Sequence, residues 1–175
     1  MALNETLASV IMMLGISNPA PLLEKPIYDD FQSTECLAMN MYHEARDQGT
    51  AGMIAVSAVV LNRVNDKRFP NSVCEVVRQG PTRPSWKNPT KSYPIRNRCQ
   101  FSWYCDGKSD EPKDYEAYKK ALDLSSLIMH NDIKFVDITD GATHYHADYV
   151  KPDWAKTKVR TTEIGDHIFY RWEKK

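Results

Sequence analysis

Met53, Ile54, Val56, Ala58, Val59, Val60, Leu61 and Val64 are apolar nearly all the way round a helix that follows the paired breaks Gly49 and Gly52. A helix with no polar face is stable only when other elements cover it on every side, so this segment is the centre of the fold. The stretch before the break, residues 33–46, is amphipathic instead. At about 100° per residue, Glu44 lies roughly 20° from Leu37 and roughly 60° from Met41, on the edge of the stripe that Leu37, Met41 and Ala45 make. Burying an unpaired carboxylate is costly, and such a group tends to hold its proton. A carboxyl still protonated near neutral pH is what a general acid requires. The alternative is a Glu44 salt-bridged to Arg46 or Arg63. Ser33 or Thr34 can cap this helix, with Glu35 favourable in its first turn.

A chain of 175 residues suits one domain with a sizeable core. Lys plus Arg equals Asp plus Glu, 23 each, so overall charge points to no particular partner. The apolar run Leu7–Ile16 is too short for a membrane span, and no Lys or Arg precedes it as a secretory signal would need. Residues 1–30 therefore read as an N-terminal arm or helix followed by a linker at Pro19, Pro21 and Pro26, with a degenerate export signal as the alternative. The working domain is residues 31–175, expected to act as a monomer without a stable membrane span.

Past the central helix, Phe69-Pro70-Asn71 makes a turn, and Ser72 with Glu75 forms a capping box that opens a short helix through Arg78. Cys74 lies on that helix, and Cys36, near the start of the Glu44 helix, is placed to be its partner. Residues 80–98 are the least regular part: Arg83, Lys87, Lys91, Arg96 and Arg98 occur there with no acid. This is either a solvated loop or a cationic rim facing an anionic polymer; no nucleic-acid motif accompanies it. Next, CQFSWYCDG read as a strand puts Phe101 and Trp103 on one face and Gln100, Ser102 and Tyr104 on the other, and each of the two rings can equally be a core residue or face a ligand. Cys99 and Cys105 would then stand about 20 Å apart, whereas a disulfide needs Cα atoms within about 7 Å and hence a tight loop. The four cysteines show neither a CxxC nor zinc spacing, so disulfides or buried thiols remain, and disulfides imply an oxidising compartment.

The spacing of Tyr115, Tyr118, Leu122, Ser125 and Met129 predicts a packing helix. GATHYHADYV alternates, and TTEI-GD-HIFYR reads as a hairpin across Gly165-Asp166. Helices first and antiparallel strands later indicate an α+β domain. His144 and His146 share a strand face and, with Glu44, Asp148 or His167, could hold a metal. There is no HExxH, and the preferred reading is that His144, Tyr145 and His146 line a cleft or hydrogen-bond within the small sheet.

EARDQGTAGMIAVSAVVLNRV resembles the signature of the SleB-type cell wall hydrolases, which include spore-cortex lytic enzymes and phage wall-lytic proteins. The likeness continues through FPNSVCEVV, CQFSWYCDG, GATHYHA, the Pro152–Trp154 segment and IGDHIFYR, in the family's order, from Glu35 to Arg171. The resemblance implies a single lysozyme-like, lytic-transglycosylase-like domain with a helical core, and no metal or cofactor. It makes Glu44 the catalytic acid acting on peptidoglycan glycan strands in the cell envelope, periplasm or exterior. It also points to a Cys36–Cys74 disulfide and to a Cys99–Cys105 loop presenting Gln100, Phe101, Ser102 and Trp103 beside Glu44, with Tyr145, His146 and Trp154 as further substrate contacts. Many members read E-A-R-G-E-P where this chain has Asp47-Gln48-Gly49, so the turn after the acid can differ in shape. Two mechanisms stay open. Glu44 can act alone, as acid and then base in lytic transglycosylation, or a second carboxylate, best Asp106, can make a hydrolytic muramidase. The rival class is a non-catalytic wall-binding module.

Overall fold

The computed structural model describes residues 27–130 and 135–172. Residues 1–26 of the expected N-terminal arm, with its linker prolines, lie outside them, whereas residues 27–30 are already helical. The first helix, α1 (Ile27–Ala45), begins upstream of the expected caps. Ser33 and Thr34 sit inside it, both buried, and the Thr34 carbonyl accepts a hydrogen bond from the buried Ser125 hydroxyl at 2.6 Å. Burial against a neighbouring helix outweighs the capping preference of these residues.

The apolar helix α2 (Gly49–Val64) is covered on two sides. Met53, Val56 and Val60 face a cluster with Leu37, Met41, Ala45 and Phe101, whereas Ala55 and Val59 pack on Ala142 and Phe169. The Ser72 cap forms, with the Glu75 carboxylate returning to the Ser72 hydroxyl: Ser72 Oγ accepts from Glu75 N and donates to Glu75 Oε2 at 2.8 Å, opening α3 (Val73–Val77). The long amphipathic helix α4 (Tyr115–Met129), capped by Asp114 on Ala117 N, packs on α1.

Residues 80–98 are more regular than their four prolines suggest. Thr82–Pro84 (β1) pairs antiparallel with Ser92–Pro94 (β2), and Pro84 and Pro94 sit at strand ends, where a missing N–H costs little. The segment after it is no strand: Ser102–Cys105 is a 3₁₀ helix inside a loop closed by Cys99–Cys105, Cα atoms 6.1 Å apart. Cys36 and Cys74 are also joined, with Cα atoms 5.3 Å apart, tying α1 to α3.

The C-terminal strands β3 (His144–Ala147), β4 (Val159–Ile164) and β5 (His167–Arg171) form an antiparallel sheet in the order β3-β5-β4. Gly165 and Asp166 make the two-residue turn, with Gly165 at φ +57°. Helices followed by a small sheet make this an α+β fold. No helix among the described residues is long and apolar enough to cross a membrane.

Candidate active site

Glu44 lies one residue before the end of α1, half-buried next to Ala45, which is fully buried. Strand alternation turns Tyr145 of β3 toward it, and the Tyr145 hydroxyl donates to Glu44 Oε2 at 2.8 Å. Tyr145 is itself seated on Phe169 and His167 of β5, with ring centroids 5.5 and 4.9 Å away. Burial raises the Glu44 pKa above the ordinary carboxylate value; the Tyr145 hydrogen bond and the Arg63 charge work against that rise. Burial also holds the Tyr145 phenol well above its usual range, followed by the charge and hydrogen bond of Glu44, so it stays a donor.

Neither arginine proposed as an ion-pair partner forms one. Arg46 donates to the Tyr42 carbonyl of its own helix at 3.4 Å and lies over the Tyr42 ring. Arg63 is only 4 % exposed. Its guanidinium is clamped between the rings of Phe69 and Phe101, with Cζ 5.2 Å from each centroid, and Nε donates to the Thr143 carbonyl at 2.7 Å. Nη1 has no protein partner among the described residues. Burial lowers the Arg63 pKa while Tyr145 and Glu44 raise it. Arginine nonetheless stays charged, so a cation is held beneath the Glu44–Tyr145 pair. A signal for it existed: Arg63 follows Val56 and Val60 at helical spacing and shares their buried face.

The disulfide loop forms another side. Trp103 stacks on His43, the neighbour of Glu44 on α1, with centroids 4.5 Å apart and planes 14° from parallel. Its indole N–H donates to Asn40 Oδ1 at 3.2 Å, and His43 Nε2 donates to the Asp110 carbonyl at 2.9 Å. Gln100 and Ser102 are exposed, whereas Phe101 is 2 % exposed. Phe101 therefore offers no ring face to a ligand; its place is under Arg63 and beside Tyr145. Asp106 serves its own turn, accepting from Lys108 N at 2.8 Å, while its carbonyl accepts from Arg96.

His146 is on the opposite face of β3 from Tyr145, because successive side chains of a strand alternate, and Trp154, on the 3₁₀ turn Asp153–Thr157, lies against that face. His146 Nδ1 donates to the Ala147 carbonyl at 2.8 Å and its Nε2 accepts from the Tyr170 hydroxyl at 3.1 Å. Trp154 packs against His144, His146 and Tyr170. These groups form an aromatic layer on the far side of the sheet: of its two expected places His146 takes the one within the sheet's hydrogen bonding, while Trp154 covers the sheet instead of contacting the Glu44 side, which corrects that expectation. Among the described residues no three His, Cys, Asp or Glu side chains converge to hold a metal.

The turn after Glu44 has its own clamp. Gln48 Nε2 donates to Asp166 Oδ2 and Gln48 Oε1 accepts from Asp166 N, both at 2.9 Å, so the α1–α2 junction is fastened to the β4–β5 turn. A side chain at Gly165 would collide with that Gln48 amide.

A family model described as Cell Wall Hydrolase matches residues 47–170. The chain belongs to the cell wall hydrolase family. The match starts just after Glu44. Within the cell wall hydrolases, the spore cortex-lytic enzyme of Bacillus subtilis is 49 % identical over 134 residues, covering 76 % of this chain and 35 % of that protein. The spore cortex-lytic enzyme of Halalkalibacterium halodurans is 28 % identical over 136 residues, 77 % of this chain and 33 % of its own length. This chain thus spans well under half of the curated relatives it matches. The catalytic domain of the Bacillus cereus SleB protein superposes with a TM-score of 0.56 at 26 % identity, covering 81 % of this chain and 91 % of that one. The catalytic domain of the germination-specific lytic transglycosylase SleB from Bacillus anthracis gives the same TM-score and identity over 87 % and 100 %.

Proposed function

We propose that this cell wall hydrolase cleaves the MurNAc-β-1,4-GlcNAc backbone of peptidoglycan by lytic transglycosylation, with Glu44 as the single catalytic carboxyl. The observation that carries this reading is a carboxyl whose pKa burial raises, held by one phenol donor above one buried cation. The acid form is favoured by enclosure, and the carboxylate is sustained by Tyr145 and Arg63, so both forms are usable in one cycle. Protonated Glu44 donates to the glycosidic oxygen as the bond to the muramic C1 breaks, releasing the GlcNAc 4-hydroxyl. The resulting carboxylate then removes the proton of the muramic C6 hydroxyl, O6 bonds to C1, and a 1,6-anhydro end forms while the acid is restored.

Support for a single carboxyl comes from Asp106, whose carboxylate is engaged by Lys108 in its own turn. Exposed Gln100 and Ser102, with Trp103 stacked on His43, would meet the glycan beside Glu44. The two disulfides fit an oxidising setting, at the cell envelope, in the periplasm or outside the cell. In the test, Glu44→Gln abolishes lysis of purified walls while circular dichroism and melting stay close to wild type. Mass spectrometry of wild-type digests then shows anhydro ends, one water lighter than reducing ends. Substantial lysis by a folded Glu44→Gln variant would remove Glu44 as the acid.

A further inference from the structure

The β1–β2 arm takes no part in this chemistry, and its surface is unusual. Trp86, at its tip, is 96 % exposed, and Tyr93 is 54 % exposed. Tryptophan is normally well buried, so a ring standing wholly in solvent invites a partner. The tip is pinned by its own hydrogen bonds. Ser85 N donates to the Lys91 carbonyl at 2.7 Å and Lys91 N to the Asn88 carbonyl at 2.9 Å, while Thr90 N and Oγ1 both donate to Asn88 Oδ1. Pro84, Pro89 and Pro94 further restrict the backbone.

The base of the arm is fastened to the disulfide loop beside Glu44. Asn97 N donates to the Cys105 carbonyl at 2.9 Å, and Gln100 N donates to the Gln79 carbonyl at 2.8 Å. That loop carries Trp103, bonded to Asn40 on α1, so the arm is a rigid extension of the site's wall. It is also cationic. Residues 80–98 hold Arg83, Lys87, Lys91, Arg96 and Arg98 and no acid. Arg96 is turned to the Asp106 carbonyl, but among the described residues Arg83, Lys87, Lys91 and Arg98 make no ion pair. In a chain of zero formal charge, positive potential is thus concentrated on one projecting element.

We propose that this arm is a second, non-catalytic wall-contact site: Trp86 stacks on a sugar or peptide face while Arg83, Lys87 and Lys91 attract the carboxylates of stem peptides. The choice of partner rests on the peptidoglycan reading above, because an arm fixed to the loop beside Glu44 holds what that site works on. Binding at this arm does not require turnover, so it is read in the Glu44→Gln background, where the walls stay intact.

The experiment pellets purified, insoluble peptidoglycan with the Glu44→Gln protein, with and without a Trp86→Ala change or the pair Lys87→Glu and Lys91→Glu. These positions are on the surface, and unchanged melting shows that the variants are folded. Trp86→Ala is expected to weaken binding about tenfold, as loss of a central aromatic contact does. Each charge is expected to matter roughly two- to fivefold, and binding of the parent to weaken as salt rises from low to physiological strength and beyond. Folded variants that pellet as well as the parent, or parent binding indifferent to salt, would overturn the proposal. So would variants that keep wall binding but lose binding to phosphatidylglycerol vesicles, since the arm would then serve a membrane. Wall binding that depends on the arm in a protein whose wild type never lyses walls would instead sink the enzymatic reading and leave this one standing.

Discussion

Removing one hydroxyl from Tyr145 tests the electrostatic core of the site. Tyr145→Phe keeps the ring against Phe169 and His167 but deletes the 2.8 Å donor to Glu44 Oε2. A hydrogen bond to a charged group contributes about 1.5–3 kcal/mol, and one to a neutral group about 0.5–1.5. The carboxylate therefore loses roughly 1 kcal/mol more than the protonated acid, so the Glu44 pKa should rise. The sign follows from what the phenol does. It lowers the Glu44 pKa against burial, so its loss lets burial prevail further. In wall-lysis rates measured across pH, the limb on which activity falls as Glu44 ionises should move to higher pH. Carbon-13 titration of the Glu44 carboxyl gives the same shift without turnover. On the proposed mechanism the maximal rate should fall too, because an acid whose carboxylate has lost a stabilising donor gives up its proton to the glycosidic oxygen less readily. An unmoved or lowered alkaline limb in a folded Tyr145→Phe protein would refute the reasoning, leaving Tyr145 as packing alone.

Asp106→Asn is expected to retain most wall-lytic activity and anhydro products; a loss on the order of 10²–10⁴-fold with reducing-end products would establish a two-carboxylate muramidase instead. The Cys36–Cys74 bond closes a separation of 38 residues. Its removal by paired serine substitutions should destabilise by about 2–4 kcal/mol in denaturant titration, and four free thiols in denatured, unreduced protein would contradict the bridge. His144 is pushed down to about 3, first by burial and then by the charges of Arg63, Lys158 and Arg68. A depressed histidine binds its proton in the unfolded chain first, so the stability it contributes is full above about pH 6.5 and is lost progressively toward pH 3. Thermal melts of His144→Phe should show a flatter acid limb than wild type, and an identical limb would place the acid sensitivity elsewhere.

Local pattern determined the parts of this protein that depend on neighbours in sequence. The nearly continuous apolar surface of Met53–Val64 called for a covered helix, and α2 is covered on two sides. Ser72 and Glu75 fix the start of α3 within one turn, and Gly165-Asp166 fixes the hairpin because glycine supplies the positive φ the turn needs. The position of Glu44 on the margin of a stripe is likewise a matter of helical geometry. Tertiary structure decided what surrounds that margin. Arg63 is tolerated in the interior only because Phe69, Phe101 and the Thr143 carbonyl, far apart in the chain, meet around it. Phe101 is consequently used up in the core, one of the two places that the sequence left open for its ring. The register of β3 then sends Tyr145 to Glu44 and His146 to Tyr170, since adjacent strand residues cannot share a face. Spacing could show that the two differ in direction, but which direction meets the acid depends on the long-range pairing of β3 with β5 and its packing on α2.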